Sequence, residues 1–223
     1  MAKKERYFTP LTIDQKASEI YQHARELSRE KSLPYHPQAS ALLVLDMQAY
    51  FLDPASHAYI PSAEAIVAGI VQLIDAYASY GWPIIFTQHI NTASDAGMMS
   101  TWWKDFITTE NAFHRIIPEI DVTQGHLIRK SQYDAFYQTR LDEILRQAGA
   151  RQVIICGVMT HLCCETTARS AFMHGYEVFF TVDGTATYNL EFHQATLVNL
   201  AHGFATLVRI KNLLEAIRGE HES

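Results

Sequence analysis

The stretch QVIICGVMTHLCCETTARSAF, residues 152–172, decides the fold. Its first six positions, 152–157, are apolar almost without interruption. Strands read this way when both faces of a parallel sheet are covered. Past Gly157 the pattern becomes helical, so a buried strand runs into a helix across VMTHLCC. Five further runs have the same character: ALLVLD (41–46), PIIFTQ (83–88), GHLIRK (125–130), YEVFFTVD (176–183) and ATLVRI (205–210). Helical patterns separate most of them. In 61–80, Ile66, Ile70, Leu73, Ile74 and Tyr77 share one helical face, and Gly81 and Pro83 end the pattern. Residues 138–148, 163–174 and 190–202 also read as helices. Alternating strand and helix over this length predicts a three-layer α-β-α sandwich, Rossmann-like, with a six-stranded parallel sheet and right-handed crossovers.

Two segments depart from the alternation. Residues 89–124 form a long connection with a short helix expected around MMSTWWKDF, as in a lid or binding loop. Residues 1–39 read as an N-terminal helical arm ahead of a domain spanning 40–218. Thr12 and Gln15 have capping-box spacing, and Ile13, Ala17, Ile20, Tyr21, Ala24 and Leu27 line one face before Pro34 and Pro37. That face must dock on its own domain or on a partner subunit. Together with the Trp-bearing connection, it leads us to expect a homo-oligomer.

Hydrophobic residues make up 48% of the 223 residues and charged residues 19%, enough to build a sizeable core. A net charge of −6 argues against a nucleic-acid partner. No apolar run reaches membrane-spanning length, and the basic MAKKERYFTP is not followed by a signal-peptide core. Three cysteines fit a reducing, cytoplasmic setting better than a disulfide framework.

Ligands of open parallel sheets bind outside the carboxyl ends of the strands. There the sequence places an acid, Asp46, an amine, Lys130, and a thiol near the start of the helix after Gly157. Taken singly, an Asp or Lys at a strand end is usually a cap or a solvated charge, and adjacent cysteines are usually core. Jointly they supply what a nucleophilic thiol needs: a base for its proton and a cation or helix start for the thiolate.

The segments LLVLDMQAYFLDP, LIRKSQYDAFYQTRLDEILRQAGARQVIICGV and GVMTHLCCETTARSAFMHGYEV resemble the isochorismatase-like cysteine hydrolase superfamily, over roughly residues 40–215. The superfamily includes isochorismatases, nicotinamidases and N-carbamoylsarcosine amidases. The resemblance implies strand order 3-2-1-4-5-6 and a catalytic triad of Asp46, Lys130 and Cys163. Gly157, Val158, Thr160 and Cys163 fill the motif after the fourth strand. It also implies a cis peptide at Val158–Met159 and an oxyanion hole from the backbone N–H groups of Met159 and Cys163. Neighbouring helical residues diverge by about 100°, so Cys164 is expected in the core, as is Cys156.

The resemblance implies a hydrolase acting on a small molecule, and two chemistries within it are open. In the amidase branch the cysteine attacks a carbonyl and forms a thioester, which fits Cys163. In the isochorismatase branch an Asp protonates a vinyl ether and no thiol is used. His161, Cys164, Thr166, Thr167, Ala168, Ala171 and Phe172 agree with that branch. A non-catalytic binding or assembly role is a third reading, disfavoured by the complete triad. Nicotinamidases carry a metal-binding Asp-x-His…His after the second strand. TQHINTASDAG offers His89 with Asp95 but not that spacing, so no metal and no cofactor are expected. Candidate substrate contacts are Gln48, His89, Trp102, Trp103, Phe113, Tyr133, Phe136 and His161. His193 and His202 read as surface residues.

Overall fold

The computed structural model describes residues 3–28, 32–103 and 105–219. In chain order the elements are α1 (Ile13–Ser28), β1 (Ser40–Leu45), α2 (Ala49–Leu52), α3 (Glu64–Ser79), β2 (Ile84–His89), α4 (Met99–Trp102), β3 (His126–Lys130), α5 (Leu141–Gln147), β4 (Gln152–Val158), α6 (Glu165–Met173), β5 (Glu177–Ala186), α7 (Leu190–Gly203), β6 (Ala205–Val208) and α8 (Ile210–Gly219). Among the described residues the six strands form one parallel sheet in the order β3-β2-β1-β4-β5-β6. β1, β2 and β4 are buried along their whole length, which explains their unbroken apolar reading. α3 and α8 pack together on one face; α1, α6 and α7 pack on the other. The winding reverses between β1 and β4, and the crevice at that switch point is where such sheets bind ligands.

Several element bounds differ from expectation for local reasons. The helix expected at 138–148 is reduced to α5. β6 ends at Val208 because Ile210, Leu213 and Ile217 form the buried face of α8, a helix whose first turn the apolar run conceals. The cap of α1 is reciprocal between Thr9 and Thr12, not Thr12 and Gln15. The Thr12 N–H donates to Thr9 Oγ1 at 3.2 Å and the Thr9 N–H to Thr12 Oγ1 at 3.3 Å, while Gln15 pairs with Glu19. Ala17, Ile20 and Ala24 bury α1 against its own chain, and Leu27 is exposed. Arg209 ties the helix down by donating to the Asp14 backbone carbonyl at 2.9 Å and to its carboxylate. Residues 29–31, ahead of the expected stop at Pro34, lie outside the described residues, as do Met1, Ala2, Lys104 and the last four positions.

Candidate active site

β1 delivers Asp46 in a left-handed conformation, φ 51°. Asp tolerates that region better than most residues because its short side chain can bond locally. Thr87, in β2 beside Leu45, holds it. The Asp46 N–H donates to the Thr87 carbonyl and to Thr87 Oγ1, both at 3.2 Å, and the Thr87 hydroxyl donates to Asp46 Oδ1 at 2.7 Å. On the other side of β1, Gly157 lies at φ 113°, and a Cβ there would sit 2.0 Å from the Leu45 carbonyl oxygen. Glycine is therefore required for the β1–β4 approach that brings Asp46 near the turn carrying Cys163.

Cys163 stands in a π-helical turn, Thr160–Cys164, that leads into α6. The peptide Val158–Met159 is cis. Cys156 and Cys164 belong to the apolar core, whereas Cys163, 5% exposed, does not. Lys130, at the end of β3, reaches the same point. Its ammonium lies 2.8 Å from Asp46 Oδ2, 2.9 Å from the Gln132 carbonyl and 3.3 Å from each of the Tyr133 carbonyl, Cys163 Sγ and His89 Nδ1, and shares its three N–H groups among these acceptors. Acid, amine and thiol are thus gathered in one buried cluster. Asp46 Oδ2 contacts the ammonium as an ion pair without an aligned hydrogen bond, so this oxygen can still accept a proton.

The electrostatics set the resting protonation. Burial pushes the Cys163 thiol up to about 12, against the pull of Lys130 and with Asp46 adding to the rise. Burial would also raise Asp46, but Lys130 and the other neighbours outweigh it and hold the carboxyl below its usual range. Burial opposes the charge on Lys130, yet Asp46 and Cys163 hold the ammonium above its ordinary value. The resting site is a carboxylate, an ammonium and a neutral thiol, with Asp46 placed to take the thiol proton.

The predicted substrate contacts divide. His89 and Tyr133 adjoin the cluster: His89 Nδ1 is 3.3 Å from the Lys130 ammonium, and Tyr133 binds it through its carbonyl. Trp103 donates from Nε1 to the Tyr133 hydroxyl at 2.6 Å and so joins the rim of the site. Trp102, in contrast, is 74% exposed. Gln48 is a correction. It is fully buried, and its amide is spent on backbone: Nε2 donates to the carbonyls of His89 and His114, and Oε1 accepts the His89 N–H. Phe136 is also a correction; it is core, stacked on His174 and Tyr176. His161 is half-buried, stacked on Phe192, and bonded through Nδ1 to the Thr187 hydroxyl at 2.6 Å; burial takes it down to about 4. Phe113 lines a cavity of about 310 Å³ with Tyr50, His57 and Asp105.

His202 is exposed, as expected, but His193 is not a surface residue. It is buried against Tyr7 and Phe8 and bonded to Thr160 Oγ1 at 3.1 Å. Sequence reading missed Thr87, the Asp46 clamp, and the Gln132 and Tyr133 carbonyls. A threonine on the strand beside Asp46 was a weak signal for the first; backbone acceptors leave none.

A buried thiol thus stands with an acid and an amine at the switch point of a parallel sheet. Residues 40–212 match the isochorismatase domain, and the chain belongs to that family. It is similar to nicotinamidase 3 of Arabidopsis thaliana, 42% identical over 185 residues, covering 81% of this chain and 89% of the relative. In fold it resembles a cysteine hydrolase from Pseudomonas syringae pv. phaseolicola 1448A, with TM-score 0.81 and 24% identity over 85% of this chain and 97% of that one. It also resembles a pyrazinamidase of Pyrococcus horikoshii in complex with zinc, with TM-score 0.69 and 23% identity over 77% and 99% of the two chains. Among the described residues no helix is long and apolar enough to cross a membrane.

The zinc of that neighbour raises the question of a metal here. Ligand atoms of Asp46, His89 and Cys163 lie within 4.8 Å of one another. All three, however, face the Lys130 ammonium at 2.8–3.3 Å. A zinc ion bound at about 2.0–2.3 Å to this set would have to share the space with a buried cation. The donor set does not fit a metal.

Proposed function

We propose that this hydrolase cleaves the C–N bond of a small carboxamide through a thioester on Cys163. The observation that carries the reading is the Lys130 ammonium bridging the Cys163 thiol and the Asp46 carboxylate. Asp46 takes the thiol proton as sulfur attacks the carbonyl carbon. The oxyanion is received by the N–H groups of Met159 and Cys163 at the helix start. As the C–N bond breaks, Asp46 returns the proton to the departing amine. Water then attacks the thioester, Asp46 accepts its proton, and the carboxylic acid leaves as the thiol is restored. Lys130 stays charged throughout.

The similarity to a nicotinamidase makes nicotinamide the first substrate to try. The test is ammonia release from nicotinamide, with intact-mass detection of an acyl adduct on Cys163. Cys163→Ala is expected to lower turnover by at least about 10³-fold. Vinyl-ether hydrolysis that survives Cys163→Ala undiminished, without an adduct, would overturn the thiol mechanism in favour of Asp46 acting alone as the acid.

A further inference from the structure

We propose that His89 is a positioning residue for Lys130: its imidazole accepts an ammonium N–H at Nδ1, in place of acting as a metal ligand, and the thiol chemistry runs without a bound metal. The inference rests on the thiol reading above for its catalytic consequence, and on hydrogen bonding alone for its geometry.

His89 and Lys130 are register partners at the ends of β2 and β3. The His89 backbone is clamped on both sides by the Gln48 amide, at 2.8 Å to its N–H and 3.1 Å to its carbonyl. The ring is fixed as firmly. His89 Nε2 lies 2.9 Å from Asn91 Oδ1, and the orientation of Asn91 is set because its Nδ2 donates to the Ser131 carbonyl at 2.8 Å and points to Asp95 Oδ1 at 3.5 Å. An amide oxygen can only accept, so Nε2 carries the hydrogen. Nδ1 is left with a lone pair, and it faces the Lys130 ammonium at 3.3 Å. Burial, with Lys130 adding to it, takes His89 down to about 4, so this tautomer is the neutral working form. Both nitrogens are therefore committed, one to an amide and one to an ammonium. A metal ligand has one nitrogen on the metal and donates from the other. Here the position of the ion is held by Lys130, which brings its own positive charge.

Stereochemistry gives a test. The side-chain oxygen of Asn can overlay His Nδ1, whereas the terminal amide of Gln overlays Nε2. His89→Asn keeps the acceptor for Lys130 and gives up the bond to Asn91; His89→Gln does the reverse; His89→Leu removes both. The primary readout is the rate at which iodoacetamide alkylates Cys163, followed by peptide mass, because it requires no substrate. Nicotinamide turnover and metal content of the purified protein are measured alongside. Alkylation by His89→Asn is expected within a few-fold of wild type, and by His89→Gln and His89→Leu about tenfold to a hundredfold slower, as for loss of a hydrogen bond to a charged group. The purified protein is expected to hold no stoichiometric metal. His89→Gln matching wild type while His89→Asn fails would overturn the proposal, as would equal rates in all three. A stoichiometric metal lost in every variant would also overturn it. If His89→Leu does not fold, the Asn and Gln pair decides alone. The expected alkylation pattern without nicotinamide turnover would leave the positioning role standing and reject the substrate.

Discussion

The two ends of the sheet both bury polar groups, and they handle them in opposite ways. At the amino end, the Ser40 hydroxyl donates to the Pro37 carbonyl at 2.6 Å. Its proton is thereby used, so the 2.5 Å contact with Tyr77 is a donation from the Tyr77 hydroxyl, and the 2.8 Å contact with Tyr35 is a donation from Tyr35. The chain of donors runs in one direction, every proton is placed, and no member is charged. Burial holds the Tyr77 phenol well above its usual range, so the network stays neutral. At the carboxyl end, Asp46 and Lys130 are charged, the thiol is not, and one carboxylate oxygen lacks an aligned hydrogen bond. Burial of polarity does not by itself mark a site. What distinguishes the carboxyl end is opposed charge beside a group with a proton to give.

The largest effect should follow from breaking the charged end. Lys130→Met leaves the Asp46 carboxylate buried without its partner, and unfolding in urea is expected to show a loss of about 3–5 kcal/mol, with turnover abolished. A variant as stable as the wild type would mean that the pair contributes nothing beyond its own desolvation cost. At the neutral end, Tyr77→Phe interrupts the donor chain and should cost about 1–3 kcal/mol in the same assay. It should leave turnover unchanged, because the network lies at the amino ends of the strands, opposite the site. Lost activity in that variant would show that the two ends are coupled.

Acid offers a third way to sharpen the contrast. Burial takes His193 down to about 3, against about 6.5 for an unfolded histidine. A depressed histidine contributes stability that is present above about pH 6.5 and is lost as pH falls toward its folded value. His89 and His161, each at about 4, act in the same direction. Melting temperature should therefore decline as pH is lowered from about 6.5, before the carboxylates begin to protonate near 4. In His193→Asn, which cannot take up a proton, the decline should be shallower; an unchanged slope would place the acid sensitivity elsewhere. The smallest effect belongs to Cys164→Ala. It removes one small core side chain and should cost about 1 kcal/mol, with turnover within twofold of wild type. A large loss of activity would move the chemistry to the wrong one of two adjacent thiols.

The sheet was legible because buried parallel strands are written as apolar runs, and all six were in place with small errors at their ends. Those errors have physical causes. Ile210 extends the apolar run of β6 while already belonging to α8, and β5 continues through Thr185 and Ala186, whose side chains carry little apolar signal. The clustering of Asp46, Lys130 and Cys163 was legible because an acid, an amine and a thiol at the carboxyl ends of the strands are brought to one crevice by the parallel topology. Its supports were not. Gln48 resembles a substrate contact in sequence, but its amide stitches β1 to β2, and composition cannot separate the two uses. His193 looked like a surface residue because nothing in the chain near it shows that Tyr7 and Phe8, far away in sequence, cover it.

The origin of Asp46, Lys130 and Cys163 at the ends of three separate strands has a consequence for synthesis and refolding, given the proposed thiol chemistry. Asp46 emerges early from the ribosome and Cys163 late, and β1 cannot bring them together until β4 has been laid beside it. The thiol of a partly made chain is an ordinary free cysteine, with neither its base nor its cation. Long-range pairing of this kind is slow to form, so reactivity appears only after topology is complete. Recovery of turnover during refolding is therefore a late, stringent clock, and it should lag behind any signal that reports helices alone.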